Sequence, residues 1–544
     1  MTDHLISVVV PFYNNADLLG DCLASIAAQA HSDLQVVMVD DGSADGSAAI
    51  ARAQAAADPR FELVSVRNGG PGWARNHGVA AATGEFLAFV DADDLLPPDA
   101  YSTMLAVLER SGSDFVSGGV MRLSAAGLGR SGLHARAIKA RRLGTCISAA
   151  PELFYDISVW NKLFRRSFWD AAELSFPEGM LWEDLVAMTK AHVLARSVDV
   201  ITDPVYHWRD RDRGAPSITQ SRADAGNFRD RFTALGMIDD FLRARGTPAM
   251  LRQHQHKALV NDLWLYVRDL PGTSADYQAE FAKLAAGYLL QVTPGLTGEL
   301  PSSHKLAYSL ISAGRQAELI EFAQWLAVHP GRTPPMVRVR GRLRADLPLR
   351  GDRALAIPPE VFRPQWRELD PYVAVESIAW QPEPEPGSPA GPQARSRPAA
   401  LRITGWAYVP SMDIARRRNT TKLVVLVPRG RRRPPLVLPA RQLKRPDVTA
   451  ASGQDRYSYD WSGFSCDLST RLLRSGRRWL TGTWDCFVLV RGRAVWRPAR
   501  LHAAGPLPAD PGPRLIAPGL TLAARWTGGR LEVRLGPDPA AGPP

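Results

Sequence analysis

Four short apolar runs open the chain: Leu5–Val10, Leu34–Val39, Phe61–Val66 and Phe86–Val90. They are rich in Val and Phe, the texture of strands buried on both faces of a parallel sheet. Between the first two, Leu18, Cys22 and Ile26 recur every four residues, with Leu19 and Leu23 beside them. That spacing predicts one helical face, with Asn15 or Asp17 as its cap. Ser47–Ala57 predicts a second, alanine-rich helix that ends at Asp58-Pro59. Strand, helix, strand, helix, strand is a doubly wound, Rossmann-like α/β pattern. In such sheets ligands bind outside the carboxyl ends of the strands, at a topological switch point.

Further along, the texture changes twice. From about 214 to 330 the apolar positions take helical spacing: Phe228, Phe232, Leu235 and Ile238 form one stripe, and Leu259, Leu263, Trp264 and Val267 another. From about 372 onward short runs such as Val373–Trp380, Leu401–Tyr408, Leu423–Val427, Leu436–Leu438, Phe487–Val490 and Leu531–Leu535 alternate with Gly-, Pro- and Arg-rich turns. These predict an antiparallel sandwich. The expected organisation is an α/β domain over 1–213, a helical linker over 214–345 and a β-sandwich over 372–536. Residues 381–400 hold six prolines and are expected to be a flexible or polyproline-like insertion. A disordered tail is expected over 537–544.

The chain has 544 residues, 45% apolar and 22% charged, an ordinary globular balance with room for about three domains. No run reaches the about 18 consecutive apolar residues of a membrane-spanning helix. The start is not expected to be a secretory signal, because its short apolar stretch follows Asp3 and runs into Pro11. Cys22, Cys146, Cys466 and Cys486 are too scattered for a disulfide framework or a zinc site. A cytoplasmic protein is expected, with at most peripheral contact at the inner face of a membrane. Residues 1–213 hold 19 Lys+Arg against 27 Asp+Glu, whereas the other 331 residues hold 47 against 28. An acidic half carrying a basic half points to catalysis at one end and an anionic partner at the other. An Arg-rich coding bias accounts for the same numbers equally well.

The polar residues after each strand carry the candidate chemistry. The first strand ends in Pro11-Phe12-Tyr13-Asn14, the second in Asp40-Asp41-Gly42-Ser43 and the fourth in Asp91-Ala92-Asp93-Asp94. An aromatic ring, a carboxylate pair and a carboxylate triplet thus meet at one crevice. A nucleotide diphosphate needs such a set. A ring or proline packs against the base, a carboxylate accepts its N–H or the ribose hydroxyls, and a second carboxylate cluster holds a hard divalent cation. An Asp-x-Asp alone is common by chance; its place directly after Phe86–Val90 is what informs. Another acidic pair, Glu183-Asp184, follows Phe176-Pro-Glu-Gly and opens an apolar helix. First-turn acids are ordinary capping, and a carboxylate there also suits a general base that the helix N-terminus keeps ionised.

The stretches "VVVPFYNNADLLGDCLASIAAQ", "VVMVDDGSADGS", "NGGPGWARNHGVAAATGEFLAFVDADD" and "FPEGMLWEDLVA" resemble the family 2 glycosyltransferases with a GT-A fold, over about residues 5–220. The resemblance implies inverting transfer from a nucleotide-activated sugar, UDP-linked in this reading. By position it places Pro11, Tyr13 and Asp41 on the nucleobase and ribose, and Asn68 and Arg75 on the nucleotide. It places Asp91 on the ribose or metal, and Asp93 on a divalent cation, Mn2+ or Mg2+. It makes Asp184 the base, with Glu183 positioning acceptor or base. The segment Tyr206-His207-Trp208-Arg209, with Ser217-Ile218-Thr219 downstream, is similar to a family motif in which Arg209 and Ser217 clamp the leaving diphosphate. Trp208 stands where the family has a second tyrosine. Trp160-Asn161-Lys162-Leu163 is also family-like, as an acceptor-side or structural motif.

In the C-terminal half, "LRITGWAYV", "TKLVVLV", "YDWSGFSCDLS" and "GTWDCFVLVRG" resemble the teichoic-acid sugar transferases, the poly(ribitol phosphate) glycosyltransferases. These have a helical linker and an immunoglobulin-like C-terminal region. That resemblance implies an anionic glycopolymer acceptor and homo-oligomers formed through the C-terminal domain. The alternatives are a capsular, exopolysaccharide or lipid-linked acceptor, and a carbohydrate-binding scaffold with an inactive transferase domain. Nucleic acid is not an expected partner, since no recognisable element interleaves aromatic and basic residues. Gly127-x-Gly129-x-x-Gly132 imitates a dinucleotide fingerprint, but it follows no clear strand end and leads into no apolar helix. His254 and His256, two apart on a helix, face apart and do not share a metal.

Overall fold

Strands β1 (Ile6–Phe12), β2 (Leu34–Asp40), β3 (Phe61–Ser65) and β4 (Phe86–Phe89) realise the four apolar runs. In the computed structural model they lie parallel in the order β3-β2-β1-β4. Residues 4–132, 134–210, 221–330, 333–381, 400–430, 433–453, 456–492, 495–503 and 505–537 are described. Ser217, the proline-rich segment 382–399 and the tail 538–544 lie outside them. Val8–Val10 and Val36–Val39 are fully buried, which explains their unbroken apolar runs. The register sets Phe12 beside Asp40 and Val9 beside Phe89. The chain reverses its strand order between β1 and β4, so the ends of β2, β1 and β4 share one crevice.

The sheet continues with β5 (Phe115–Ser124), β6 (Gly127–Arg130), β7 (Arg142–Thr145), β8 (Lys162–Arg165) and β9 (Val198–Arg209). Strand β8 runs antiparallel to both β4 and β5, so this half is mixed. The glycine fingerprint does follow a strand end, contrary to the sequence reading, because β5 runs to Ser124. It then turns back as the exposed hairpin strand β6 instead of opening a helix.

Helix α1 (Ala16–Ala27) buries Leu19, Cys22, Leu23 and Ile26, and α2 (Ser47–Ala57) has the expected bounds. The cap of α1 differs from expectation. Asn15 holds the N-cap position without a side-chain cap, and the loop after β2 supplies it: Asp45 accepts from the Ala16 amide at 3.0 Å and Ser47 from that of Asn15 at 2.8 Å. Helix α3 (Pro71–Ala81) shows no apolar stripe in the sequence. Its glycines replace one, since a Cβ on Gly78 would collide with Val9 of β1. Helices α4 (Ala100–Ser111), α5 (Arg166–Ala171) and α6 (Glu183–Leu194) complete the layers.

Next come α7 (Ala225–Arg245), α8 (Pro248–Lys257), a π-helical turn over Ala258–Asp262, α9 (Leu263–Asp269) and α10 (Ala275–Gln291). Together with the α/β sheet they fall in one compact unit, residues 1–300 and 304–330. His254 is buried against Asp239 at 2.9 Å. No helix of the described residues is long and apolar enough to cross a membrane.

The second unit, residues 301–303 and 331–544, is antiparallel and β-rich. One sheet orders Tyr372–Trp380, Ala400–Tyr408, Gly463–Ser469 and Arg441–Leu443; a seven-stranded sheet is built on Thr420–Pro428 and Gly482–Gly492. Alternate residues of that central pair are buried, among them Val424, Leu426, Trp484, Cys486, Val488 and Val490. All four cysteines are unpaired.

The Trp160–Leu163 motif is largely structural. Lys162 Nζ, without solvent contact, lies 2.9 Å from Asp156 and donates to the Ser158 carbonyl at 2.6 Å. Asp156 also meets His192 Nε2 at 3.2 Å. Burial pushes the Asp156 carboxyl up, but Lys162 and His192 outweigh it and hold it well below the usual carboxylate range. Removing one member strands the others in a dry interior. Lys162→Met is expected to destabilise the protein by about 3–5 kcal/mol in urea denaturation; a loss below about 1 kcal/mol would show that Asp156 finds another partner.

Candidate active site

The ends of β1, β2 and β4 meet where the sheet order places them. Pro11 is half-buried at the end of β1 and Tyr13 stands exposed beyond it. Asn14 takes a left-handed conformation, φ 51°, and its side chain accepts from the Ala44 amide at 2.9 Å. The loops after β1 and β2 are thereby stitched together. Asp41 is buried, its two oxygens accepting from the Gly69 and Gly70 amides at 2.8 and 2.9 Å. It thereby orients the turn into α3. Asn68 is exposed on that turn.

The carboxylate triplet after β4 divides its roles. Asp94 is buried: it accepts from Tyr206 Oη at 2.8 Å and from the Arg209 amide at 2.7 Å. Tyr206 Oη in turn accepts from the Asp91 amide at 3.1 Å, and Trp160 stacks on the Tyr206 ring at 4.1 Å. Backbone bonds between Leu95 and His207 complete the clasp between this turn and β9. Asp94 is therefore the structural member, which leaves Asp91 and Asp93 half-buried at the crevice. Burial, then Asp93 and then Asp91, push the Asp94 carboxyl well up. So many acids in one turn repel one another, an arrangement that a divalent cation relieves. No group of three His, Cys, Asp or Glu among the described residues forms a metal cage. A cation held by one or two carboxylates takes its remaining ligands from substrate phosphates, and Asp93 with Asp91 fits that donor set.

Arg75, on α3, joins the two acidic regions. Its Nη2 donates to Asp91 at 2.7 Å and its Nη1 to Glu183, with Phe176 beneath the guanidinium at 5.6 Å. It is buried, with both terminal nitrogens on carboxylates. Burial alone would lower its pKa; Asp91, Glu183 and Asp184 outweigh that and raise it. Asn76 fastens the same segment, donating to the Phe176 carbonyl and to Glu178, both at 2.9 Å, and accepting from the Phe176 amide. Gly72 lets α3 touch this chain directly, since a Cβ there would collide with the Pro177 carbonyl.

Glu183 and Asp184 open α6 at a strained turn in which Trp182 has φ 65°. Asp184 Oδ1 accepts from the Leu185 amide at 2.9 Å. The helix N-terminus does not hold Asp184 in the low carboxylate range. Burial, with Asp91 close by, overcomes Arg75 and pushes its carboxyl up; burial likewise raises Glu183. Arg209 is drawn aside, its guanidinium 3.3 Å from Asp21 of α1. Trp208 packs under Arg122, 3.7 Å from the ring centre, and so fills a packing role that a second tyrosine would share with hydrogen bonding. Sequence reasoning missed Tyr206 and Asn76 as site-builders. Both lie in motifs it had marked, but their partners are 112 and 100 residues away.

Residues 7–169 match the family described as Glycosyl transferase family 2. It is 35% identical over 207 residues to the putative glycosyltransferase EpsH of Bacillus subtilis, covering 38% of this chain and 60% of that protein. A poly(ribitol-phosphate) beta-glucosyltransferase of Bacillus spizizenii is 27% identical over 211 residues, covering 37% of this chain and 32% of that protein. In architecture the chain is similar to S. aureus TarS, with a TM-score of 0.55 at 15% identity over 98% of this chain and 86% of TarS. TarS 1–349 in complex with UDP-GlcNAc aligns with a TM-score of 0.50 at 19% identity, over 63% of this chain and 96% of that one.

The close approach at Gly72 makes α3 and the Glu183-Asp184 turn one rigid block. Gly72→Ala is expected to destabilise the fold by about 1–3 kcal/mol, as overpacking does, and to lower any activity of the site more than it lowers ligand binding. An unchanged melting temperature would show that the two segments separate freely.

Proposed function

We propose that the chain is an inverting, divalent-metal-dependent glycosyltransferase that moves a sugar from a UDP-linked donor to a hydroxyl of a surface or cell-wall glycopolymer. The observation that carries this reading is the Arg75 bridge. It ties the Asp91–Asp93 turn, suited to a nucleotide diphosphate, to Glu183-Asp184, suited to an acceptor. The UDP-GlcNAc bound in TarS 1–349 supports a UDP-sugar donor, and the poly(ribitol-phosphate) acceptor named for the B. spizizenii relative supports a polyanion. The basic balance of residues 214–544 suits such an acceptor.

In this mechanism Pro11, Tyr13, Asp41 and Asn68 hold the base and ribose. Asp93, with Asp91, would hold Mn2+ or Mg2+, which neutralises charge on the departing diphosphate when bound. Asp184 takes the proton from the acceptor hydroxyl as that oxygen bonds to the anomeric carbon. The bond from that carbon to the UDP oxygen breaks on the opposite face, and UDP leaves with the electron pair. Glu183, fixed by Arg75, positions the acceptor and the base. Arg209 and Ser217 are the candidate clamps on the leaving group. Because Asp184 must be ionised and its carboxyl is pushed up, turnover is expected to rise with pH through a limb above the ordinary aspartate range.

A screen of UDP-sugars for UDP release, with Mn2+ or Mg2+ and with a poly(ribitol phosphate) or a short neutral acceptor, tests the reading. No UDP release from any donor rejects it. Asp184→Asn is expected to lower turnover about 10²-fold or more while donor affinity stays unchanged, because asparagine keeps the shape but accepts no proton. Asp93→Ala is expected to abolish the metal-dependent part of donor binding in calorimetric titration, with the fold intact. Wild-type affinity in that variant would remove Asp93 from the metal site.

A further inference from the structure

The turn that presents Glu183 and Asp184 is held from outside the α/β layers, by helix α7. Asp230 accepts from the Leu181 amide at 2.8 Å. The Trp182 indole donates to the Asn227 carbonyl at 3.1 Å, and its side-chain oxygen lies at 3.3 Å. The Arg231 guanidinium lies over the Trp182 ring, 4.0 Å from its centre. Three consecutive chain positions, 181 to 183, are thus fixed by neighbours before the base is reached. A tryptophan in the left-handed region is costly, and it persists only where its surroundings over-determine it.

Arg231 is itself buried and pinned. Its Nη2 donates to Asp262 at 3.2 Å, and Asp262 also meets Lys257 Nζ at 2.8 Å. Asp262 closes the π-helical turn Ala258–Asp262, a local widening that turns a carboxylate inward. Arg231 Nε and Nη1 are buried without a hydrogen-bond partner. Two unpaired donors in a dry site call for a reason beyond the ion pair with Asp262. The Trp182 ring that Arg231 covers stands two positions before Asp184, and from there the Arg231 charge counters, in a smaller part than Arg75, the upward push on that carboxyl.

We propose that Arg231 is a positioning residue for the transfer: from α7 it locks the strained Trp182 turn and keeps a fixed positive charge beside Asp184. This rests on Asp184 being the base. The helical segment is then part of the active site rather than a spacer. The other charged groups acting on Asp184 are Asp91 after β4, Glu183 on its own helix, Arg75 on α3, Lys162 on β8 and Lys257 on α8. Arg231 and Arg75 are the two among them that also hold the turn, Arg231 through the Trp182 ring and Arg75 through Glu183.

The test compares Arg231→Gln and Arg231→Lys in the full chain, with Asp184→Asn alongside. Turnover against pH, KM for the UDP-sugar and donor affinity without acceptor are measured for each. Arg231→Gln keeps a hydrogen bond to Asp262 but loses the charge and the stack. It is expected to lower kcat about tenfold or more, leave donor affinity within about twofold, and move the acid limb of the kcat profile upward by about half a unit or more. Arg231→Lys is expected to restore the limb to its wild-type position. An unmoved limb with unchanged kcat in Arg231→Gln, while Asp184→Asn is inactive, overturns the inference and leaves the base assignment standing. An active Asp184→Asn overturns the base assignment itself. Should Arg231→Gln not fold, Trp182→Leu removes the ring and leaves the Arg231–Asp262 pair. The same fall in kcat at constant donor affinity is then expected, and wild-type kcat overturns the proposal.

Discussion

A buried arginine between two carboxylates is the constraint from which the site follows. Arg75 cannot leave its pocket unpaired, because an uncompensated charge in a dry interior costs several kcal/mol. Asp91 at the end of β4 and Glu183 at the start of α6 are therefore held within a guanidinium's width of each other. In the proposed function one belongs to the donor side and the other to the acceptor side. Any movement of α6 away from the sheet breaks an ion pair, so the two halves of the proposed reaction keep one geometry.

Hydrogen bonds among the residues around the crevice maintain this arrangement. Asp94 gives up its ligand capacity to Tyr206 and the Arg209 amide, and so shapes the turn on which Asp91 and Asp93 stand half-buried. Asp41 is spent in part on the amides before α3. Asn76 ties α3 to the Phe176–Glu178 segment, and α7 braces Trp182. Strain at Asn14 and Trp182 lies at the two edges of the site. Strain of this kind marks positions that the surrounding structure over-determines.

The same burial that secures the site tunes it. Carboxylates crowded near Arg75 repel one another and lack water, so Glu183 and Asp184 hold their protons more tightly than exposed acids. A base raised toward working pH accepts a proton more readily in the transition state than a strong acid's conjugate does. First-turn position on α6 acts in the other direction, and here it is the weaker influence. A dipole at a helix end contributes about 0.3–1 kcal/mol, less than full desolvation.

Much of the sheet was legible in the sequence. Unbroken Val-rich runs mean strands covered on both faces, and four such runs placed Pro11–Tyr13, Asp40-Asp41 and Asp91–Asp94 at strand ends before any coordinates. The period-four face of α1 and the alanine run of α2 were equally plain. Helix α3 was not, because Gly72 and Gly78 replace an apolar stripe with close backbone contact, and such contact leaves no periodicity. The cap of α1 was misassigned because it comes from Asp45 and Ser47, on another loop. Strand order and residue type thus determined which carboxylates gather and what they can hold. Which of them is spent on the fold, as Asp94 is, and which has its carboxyl pushed up by burial, as Asp184 has, was decided by tertiary structure. Those roles depend on burial and on partners about a hundred residues away, and neither can be read from local sequence.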